Sequence, residues 1–263
     1  MCKLIDGMTE KRKLVPTDQL GDNMIDASIR HNRQCDLENK PQEKTTIEET
    51  SADIGGITFA GTDTSFTTLT QLFGEFTKDP KLQEDSFKML NDVFVDEDGT
   101  IKELTFDLLN DSKRYSAFIS EVHRFFSIVP QSFCRSLNKD VVVDGYQFYK
   151  NDRYIFSNVA VSYNFNMNPM REKFIINRFI EEEKPEGQVM YKPVIFGAGK
   201  RICLGWQIAD IFLKMAIYHF GLAFKYEMGD RFNETVLADC TSIYSECITK
   251  VSCRPEYWRQ AKH

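Results

Sequence analysis

The stretch Phe196-Gly-Ala-Gly-Lys-Arg-Ile-Cys-Leu-Gly205 holds the residue types and spacing with the most chemical content. It reads F-x-x-G-x-R-x-C-x-G, and five fixed residues at that spacing arise by chance in about one chain in 10⁴. Cys203 can offer a thiolate to a metal. It stands just ahead of an expected helix, whose positive dipole end and free N–H groups favour the thiolate. Gly199 and Gly205 let the backbone pass close to a flat ligand. Arg201 can pair with a haem propionate, and Phe196 can pack on the sulfur side and keep water from it. A thiolate on haem iron favours O–O cleavage. The plainer alternative is a buried core thiol beside an ordinary turn. The stretch fails as a phosphate loop: Val194 and Arg201 stand where a Walker A needs Gly and Ser or Thr. Ile202 stands where a Rossmann fingerprint needs Gly.

A second cluster is Ala60-Gly61-Thr62-Asp63-Thr64-Ser65. Asp, Thr and Ser compete with a helix backbone for hydrogen bonds, and Gly weakens it further. Polar groups inside an otherwise buried helix need a reason. A kinked helix over a cofactor gives one: the kink opens a groove for oxygen, and Thr64 with Asp63 relays protons. A Ser/Thr-rich helix that merely bends reads equally well. The third pattern is Glu121-Val-His-Arg124, which puts opposite charges on one helix face. By itself it reads as an exposed pair.

The elements that must position these residues follow from periodicity and turn signals. Residues 1–45 form a polar lead-in, mostly loops, with one short helix from Asp22 to Arg30. A long, largely buried helix runs from Thr46 to about Lys78. Shorter ones are expected near Lys81 to Phe94, Thr105 to Leu109 and Ser116 to Phe126. Val141 to Val143 and Tyr146 to Phe148, joined by Asp144-Gly145, read as a β-hairpin. Tyr154 to Val161 reads as a further strand or extended piece, and residues 163–195 as a long ordered loop. An amphipathic helix from about Leu204 to Phe220 precedes short strands.

The chain has 263 residues, 42% of them apolar, and a net charge of −6. That charge argues against a nucleic-acid role, which needs a basic face. Seven thinly spread cysteines read as reduced thiols in a cytoplasmic or cytosol-facing protein. No signal or anchor is evident in residues 1–15. The apolar stretch Ile208 to Phe224 is broken by Asp210, Lys214 and His219, so no membrane span is expected.

Taken together and in this order, the motifs resemble those of the cytochrome P450 family. Phe196 to Gly205 matches the haem-binding loop, and Ala60 to Ser65 the oxygen-binding helix. Glu121 and Arg124 match the E-x-x-R pair, and Arg178 the arginine that joins it in a buried triad. Arg135 stands where the family holds a haem propionate. The resemblance covers about residues 22–258. It departs at Ile176, where the family usually has Pro, and at Tyr149-Lys150-Asn151, where it has a Pro-Lys-Gly turn. It also departs in length: family members run to roughly twice this chain, and the stretch not matched supplies the anchor of eukaryotic members, much of the substrate lid and one grip on the propionates.

The resemblance implies a mainly α fold with small β-sheets, residues 46–263 being the haem-binding C-terminal portion. It implies a haem-thiolate monooxygenase: Cys203 on the iron, Gly61, Gly199, Gly205, Phe196, Arg201 and Arg135 about the cofactor, Thr64 and Asp63 handling protons. The expected partners are an electron-donating reductase, docking near Lys200 and Arg201, and a small apolar organic substrate. Two rivals are a truncated, non-catalytic relative that binds haem without turnover, and a zinc protein using Cys240, Cys247 and Cys253, whose spacing lacks paired C-x₂₋₄-C.

Overall fold

The structure is a computed structural model that describes residues 2–183, 193–232, 235–238, 241–244, 247–255 and 257. The chain divides into two compact units, Met1–Asp63 and Thr64–His263. The first holds α1 (Cys2–Arg12), α2 (Met24–Leu37) and the start of α3 (Ile47–Lys78). Its core is small: Ile5, Leu20, Ile25 and Ile29, with Val15 and Ile54 against them. Asn23 caps α2 by accepting the Asp26 N–H at 3.0 Å. Asp26 is wholly buried. It accepts from Arg12 Nε at 2.7 Å, the Gly21 N–H at 2.8 Å and Asn23 Nδ2 at 2.9 Å. Those donors, Arg12 first, hold its carboxyl down at about 2.

The second unit continues α3 and adds α4 (Pro80–Phe94), α5 (Phe106–Asp111) and α6 (Lys113–Phe126). Helix α4 starts on a Pro at its first position, with Asp79 accepting the Leu82 N–H at 3.0 Å. Ser112 caps α6 through the Tyr115 N–H, and Ser127, at φ +42°, ends it. Then come β1 (Arg135–Ser136), β2 (Val141–Val143), β3 (Tyr146–Phe148), β4 (Arg153–Tyr154), α7 (Asn158–Ser162) and α8 (Trp206–Ala223). The chain closes with β5 (Phe224–Phe232), β6 (Thr235–Ala238), β7 (Thr241–Tyr244) and β8 (Cys247–Cys253). The strands form four two-stranded antiparallel pairs: β1 with β4, β2 with β3, β5 with β8, and β6 with β7. This is the expected mainly α fold with small sheets.

The core of this unit joins the end of α3 to α4, α6 and α8 through Leu72, Phe76, Met89, Leu90, Phe94, Tyr115, Phe118, Val122, Ile217 and Leu222. Phe94 sits edge-on between Tyr115 and Tyr218, at 5.0 and 4.8 Å between ring centres. Gly221 lets α8 approach α4, because a Cβ there would lie 2.6 Å from the Leu90 Cδ1.

Four expectations need correction. The lead-in is not mostly loop: α1 forms, and α2 runs on to Leu37. Its apolar signal was weak because, over residues 3–12, only Ile5 and Thr9 are buried, and Arg12 anchors it through Asp26 instead. Residues 154–161 are not one strand. The β4 ladder stops at Tyr154, a single antiparallel bridge joins Ser157 to Gln131, and Ser157 then caps the short helix α7 by accepting the Ala160 N–H at 3.1 Å. The long helix α3 is buried near Thr50 and Ser51, again at Ser65, and wholly or partly over residues 67–77, but Phe66 and residues 56–62 are exposed, Phe59 among them. The helix Leu204 to Phe220 begins two residues later and ends at Ala223. The hairpin forms in the expected register, Asp144 and Gly145 both taking positive φ.

Candidate functional site

The Cys203 loop is a tight, glycine-dependent turn. Gly197 and Gly199 take φ of +74° and +66°, a region costly for other residues. The Gly197 N–H donates to the Val194 carbonyl at 2.8 Å, and Gly199 opens a short 3₁₀ turn through Arg201. The Cys203 N–H then donates to the Phe196 carbonyl at 2.8 Å, closing the loop on itself. The Cys203 carbonyl accepts from Trp206 N, the first residue of α8. The thiol is exposed, so the plainer reading of a buried core thiol does not hold. Gly197 was not singled out in the sequence. A second glycine two places before Gly199 was the available signal.

Helix α6 lies behind this loop. The His123 ring meets the Phe196 ring edge-on, centres 5.1 Å apart and planes at 78°. His123 is buried, and neither ring nitrogen has a hydrogen-bond partner among the described residues. Nearby in α8, Lys214 Nζ donates to Asp210 at 2.8 Å and to Asn110 Oδ1 at 2.9 Å.

Two positions from His123, Glu121 anchors a buried charge cluster. Arg124 donates to both its oxygens at 2.7 and 2.9 Å, and Arg178 Nε lies 3.0 Å from each. Glu121 and Arg124 are fully buried and Arg178 nearly so. One carboxylate between two guanidinium groups satisfies the requirement that buried charge be paired. The remaining donors hold a segment without regular structure. Arg124 reaches the Arg171, Lys173 and Ser162 carbonyls, and Arg178 those of Pro169, Met170 and Lys173. The Ile175 N–H donates to Glu121 at 2.8 Å, and Ile176, one of the departures from the resemblance, packs against the core.

The model of the cytochrome P450 family matches residues 2–238, most of the chain. The chain belongs to the cytochrome P450 family. Similar proteins include the mitochondrial sterol 26-hydroxylase of Rattus norvegicus, 26% identical over 71% of this P450 chain and 34% of the relative. Cytochrome P450 2E1 of Rattus norvegicus is 28% identical over 67% and 36%. A dihydroniloticin synthase of Melia azedarach is 28% identical over 77% and 43%. The chain thus spans less than half the length of the curated relatives it matches. A crystal structure of a cytochrome P450 (CYP102L1) superposes with a TM-score of 0.76 at 19% identity, covering 96% of this chain and 55% of that one, so the fold is shared. Family and fold together imply haem with its iron as the cofactor.

The residues of this P450 chain suit haem by the chemistry of their donors. Cys203 offers an exposed sulfur, and a Cβ on Gly199 or Gly205 would meet only open space within 4 Å. Arg201, exposed, and Arg135, half-buried in β1, are cations whose guanidinium groups make no hydrogen bond or ion pair among the described residues. Two such cations suit two propionates. Gly61 and Asp63 lie in the first unit, and Thr64 opens the second. Helix α3 is continuous through all three. As to zinc, Cys240 lies outside the described residues, and among those described no His, Cys, Asp or Glu cluster could hold a metal. No described helix is long and apolar enough to cross a membrane.

His123 gives this P450 chain an acid-sensitive element. Burial pushes its imidazole down to about 4, with Asp210 opposing and Lys214 reinforcing the shift. The unfolded chain binds that proton near pH 6.5. The contribution of His123 is therefore complete above about 6.5 and is lost as pH falls towards 4, about 3 kcal/mol over the window. The urea midpoint should fall further between pH 7 and 4.5 in the native chain than in His123→Phe. Equal falls would refute the assignment.

Proposed function

We propose that this chain is the thiolate-side portion of a haem-thiolate monooxygenase. The observation that carries the reading is the Cys203 loop: an exposed thiol, set by two left-handed glycines and its own backbone hydrogen bond, directly ahead of α8. When bound, haem supplies the activation of molecular oxygen, one atom of which enters an organic substrate while the other leaves as water. Cys203 would hold the iron as a thiolate. Phe196 would cover the sulfur side against water, and Arg201 and Arg135 would pair with the propionates. Thr64 and Asp63, adjacent in α3, deliver protons. Glu121, Arg124 and Arg178 keep the segment of residues 162–178 in place behind the loop. Exposed Lys200, beside Arg201, presents positive charge to an electron-donating reductase. The test is optical: loaded with haem, reduced and exposed to carbon monoxide, the chain should show the red-shifted Soret band of thiolate ligation. A band of unshifted, thiolate-free type would overturn the reading.

A second reading is a haem-binding chain that does not turn over: the chain spans 34% and 43% of two of the relatives it matches. Monooxygenation needs a pocket that excludes water and holds the substrate close. With reductase supplied, the 263 residues alone are expected to release reduced oxygen as peroxide, with little product per electron. Tight coupling of electrons to product would rule this second reading out.

A further inference from the structure

The cluster behind the Cys203 loop contains one group that neither the ion triad nor the proposed cofactor contacts use. We infer that His123 is a positioning residue that braces the Cys203 loop through the Phe196 ring. The inference rests on the reading of Cys203 as the haem ligand. The chain of contacts is continuous. His123 is buried in α6, between Glu121 and Arg124, whose ion pair locks that turn of the helix. Its ring meets Phe196 edge-on at 5.1 Å, and the Phe196 carbonyl accepts the Cys203 N–H at 2.8 Å. A displacement of the Phe196 ring therefore moves the backbone that carries the thiol. Neither ring nitrogen hydrogen-bonds among the described residues, so the imidazole acts through its shape. Helix α6 thus supports two stretches at once: Glu121 and Arg124 hold residues 162–175, and His123 holds Phe196. Gly197 and Gly199, which follow Phe196, bring no side chains to the loop.

The test compares three variants: His123→Ala removes the brace, His123→Phe keeps a ring there, and Ile119→Ala opens a cavity elsewhere on α6. The first readout uses the haem-loaded chain and follows conversion of the thiolate-type carbon monoxide band to the neutral-thiol type. His123→Ala should convert about ten-fold faster than the native chain, through easier local opening of the loop. His123→Phe should stay within about three-fold of native, as should Ile119→Ala despite its lower urea midpoint. The second readout needs no haem. Iodoacetamide labelling of Cys203 is measured by mass spectrometry against Cys134, an exposed cysteine of the same chain. The ratio should rise about three-fold or more in His123→Ala and stay level in Ile119→Ala. Ile119→Ala matching His123→Ala in either readout, or a level labelling ratio in His123→Ala, would overturn the brace. A native chain that gives no thiolate band while its labelling ratio still follows His123 would refute the haem reading and leave the brace standing.

Discussion

Cys203→Ala is expected to remove the thiolate-type Soret band of the reduced carbon monoxide complex completely, with the other six cysteines intact. The effect is all-or-none because alanine has no donor to replace the sulfur. The other described cysteines lack the setting. Cys35 is buried in α2 of the first unit, and Cys253 ends β8 in regular antiparallel pairing. Cys134 is exposed but precedes β1 without a glycine turn or a following helix. Among these four described cysteines, Cys203 alone combines an exposed sulfur, a loop closed by its own N–H and a helix starting three residues on. Circular dichroism of the variant should match the native chain, since the side chain makes no hydrogen bond among the described residues. A variant that keeps the band would show that another cysteine ligates the iron.

Arg124→Ala carries the largest expected loss of stability. Removing this guanidinium leaves Glu121 with Arg178 alone and strips donors from the Ser162, Arg171 and Lys173 carbonyls. Breaking a buried, hydrogen-bonded ion pair from one side costs about 3–5 kcal/mol. Domains of this kind have a total stability of only about 5–15 kcal/mol. The control is Arg114, which pairs with Asp92 at 2.9 Å where both side chains are over 40% exposed. Its replacement by Ala should cost at most about 1 kcal/mol. Urea midpoints and soluble yields measure both. If Arg124→Ala behaves like Arg114→Ala, the cluster contributes far less than its burial implies.

The sequence was most legible where a local rule acts within a few residues. Asp144-Gly145 dictated the hairpin because both positions need positive φ. Pro80 with Asp79 marked the start of α4, and the order F-x-x-G-x-R-x-C-x-G marked the loop and the helix behind it. It was least legible where the partner lies far along the chain. Helix α1 depends on Arg12 meeting Asp26, and α7 replaced an apolar run that alternation alone reads as a strand. The exposed face at residues 56–62 could not be foreseen, since an apolar pattern states what can be buried and not what covers it.

For the site, composition and spacing alone singled out Cys203 as the candidate thiolate, Gly199 as one of the turn glycines, and Glu121 and Arg124 as charges on one helix face. These are properties of side-chain chemistry and of backbone freedom at single positions. Only the tertiary structure decided that the Glu121–Arg124 pair is buried and not exposed. The deciding partners, Arg178 and the carbonyls of residues 162–173, lie some 40 to 60 positions away along the chain. It alone decided, too, that His123 backs Phe196 across 73 residues of sequence, because α6 and the Cys203 loop come together through packing. Burial and long-range pairing depend on which segments meet, and no window of neighbouring residues contains that information.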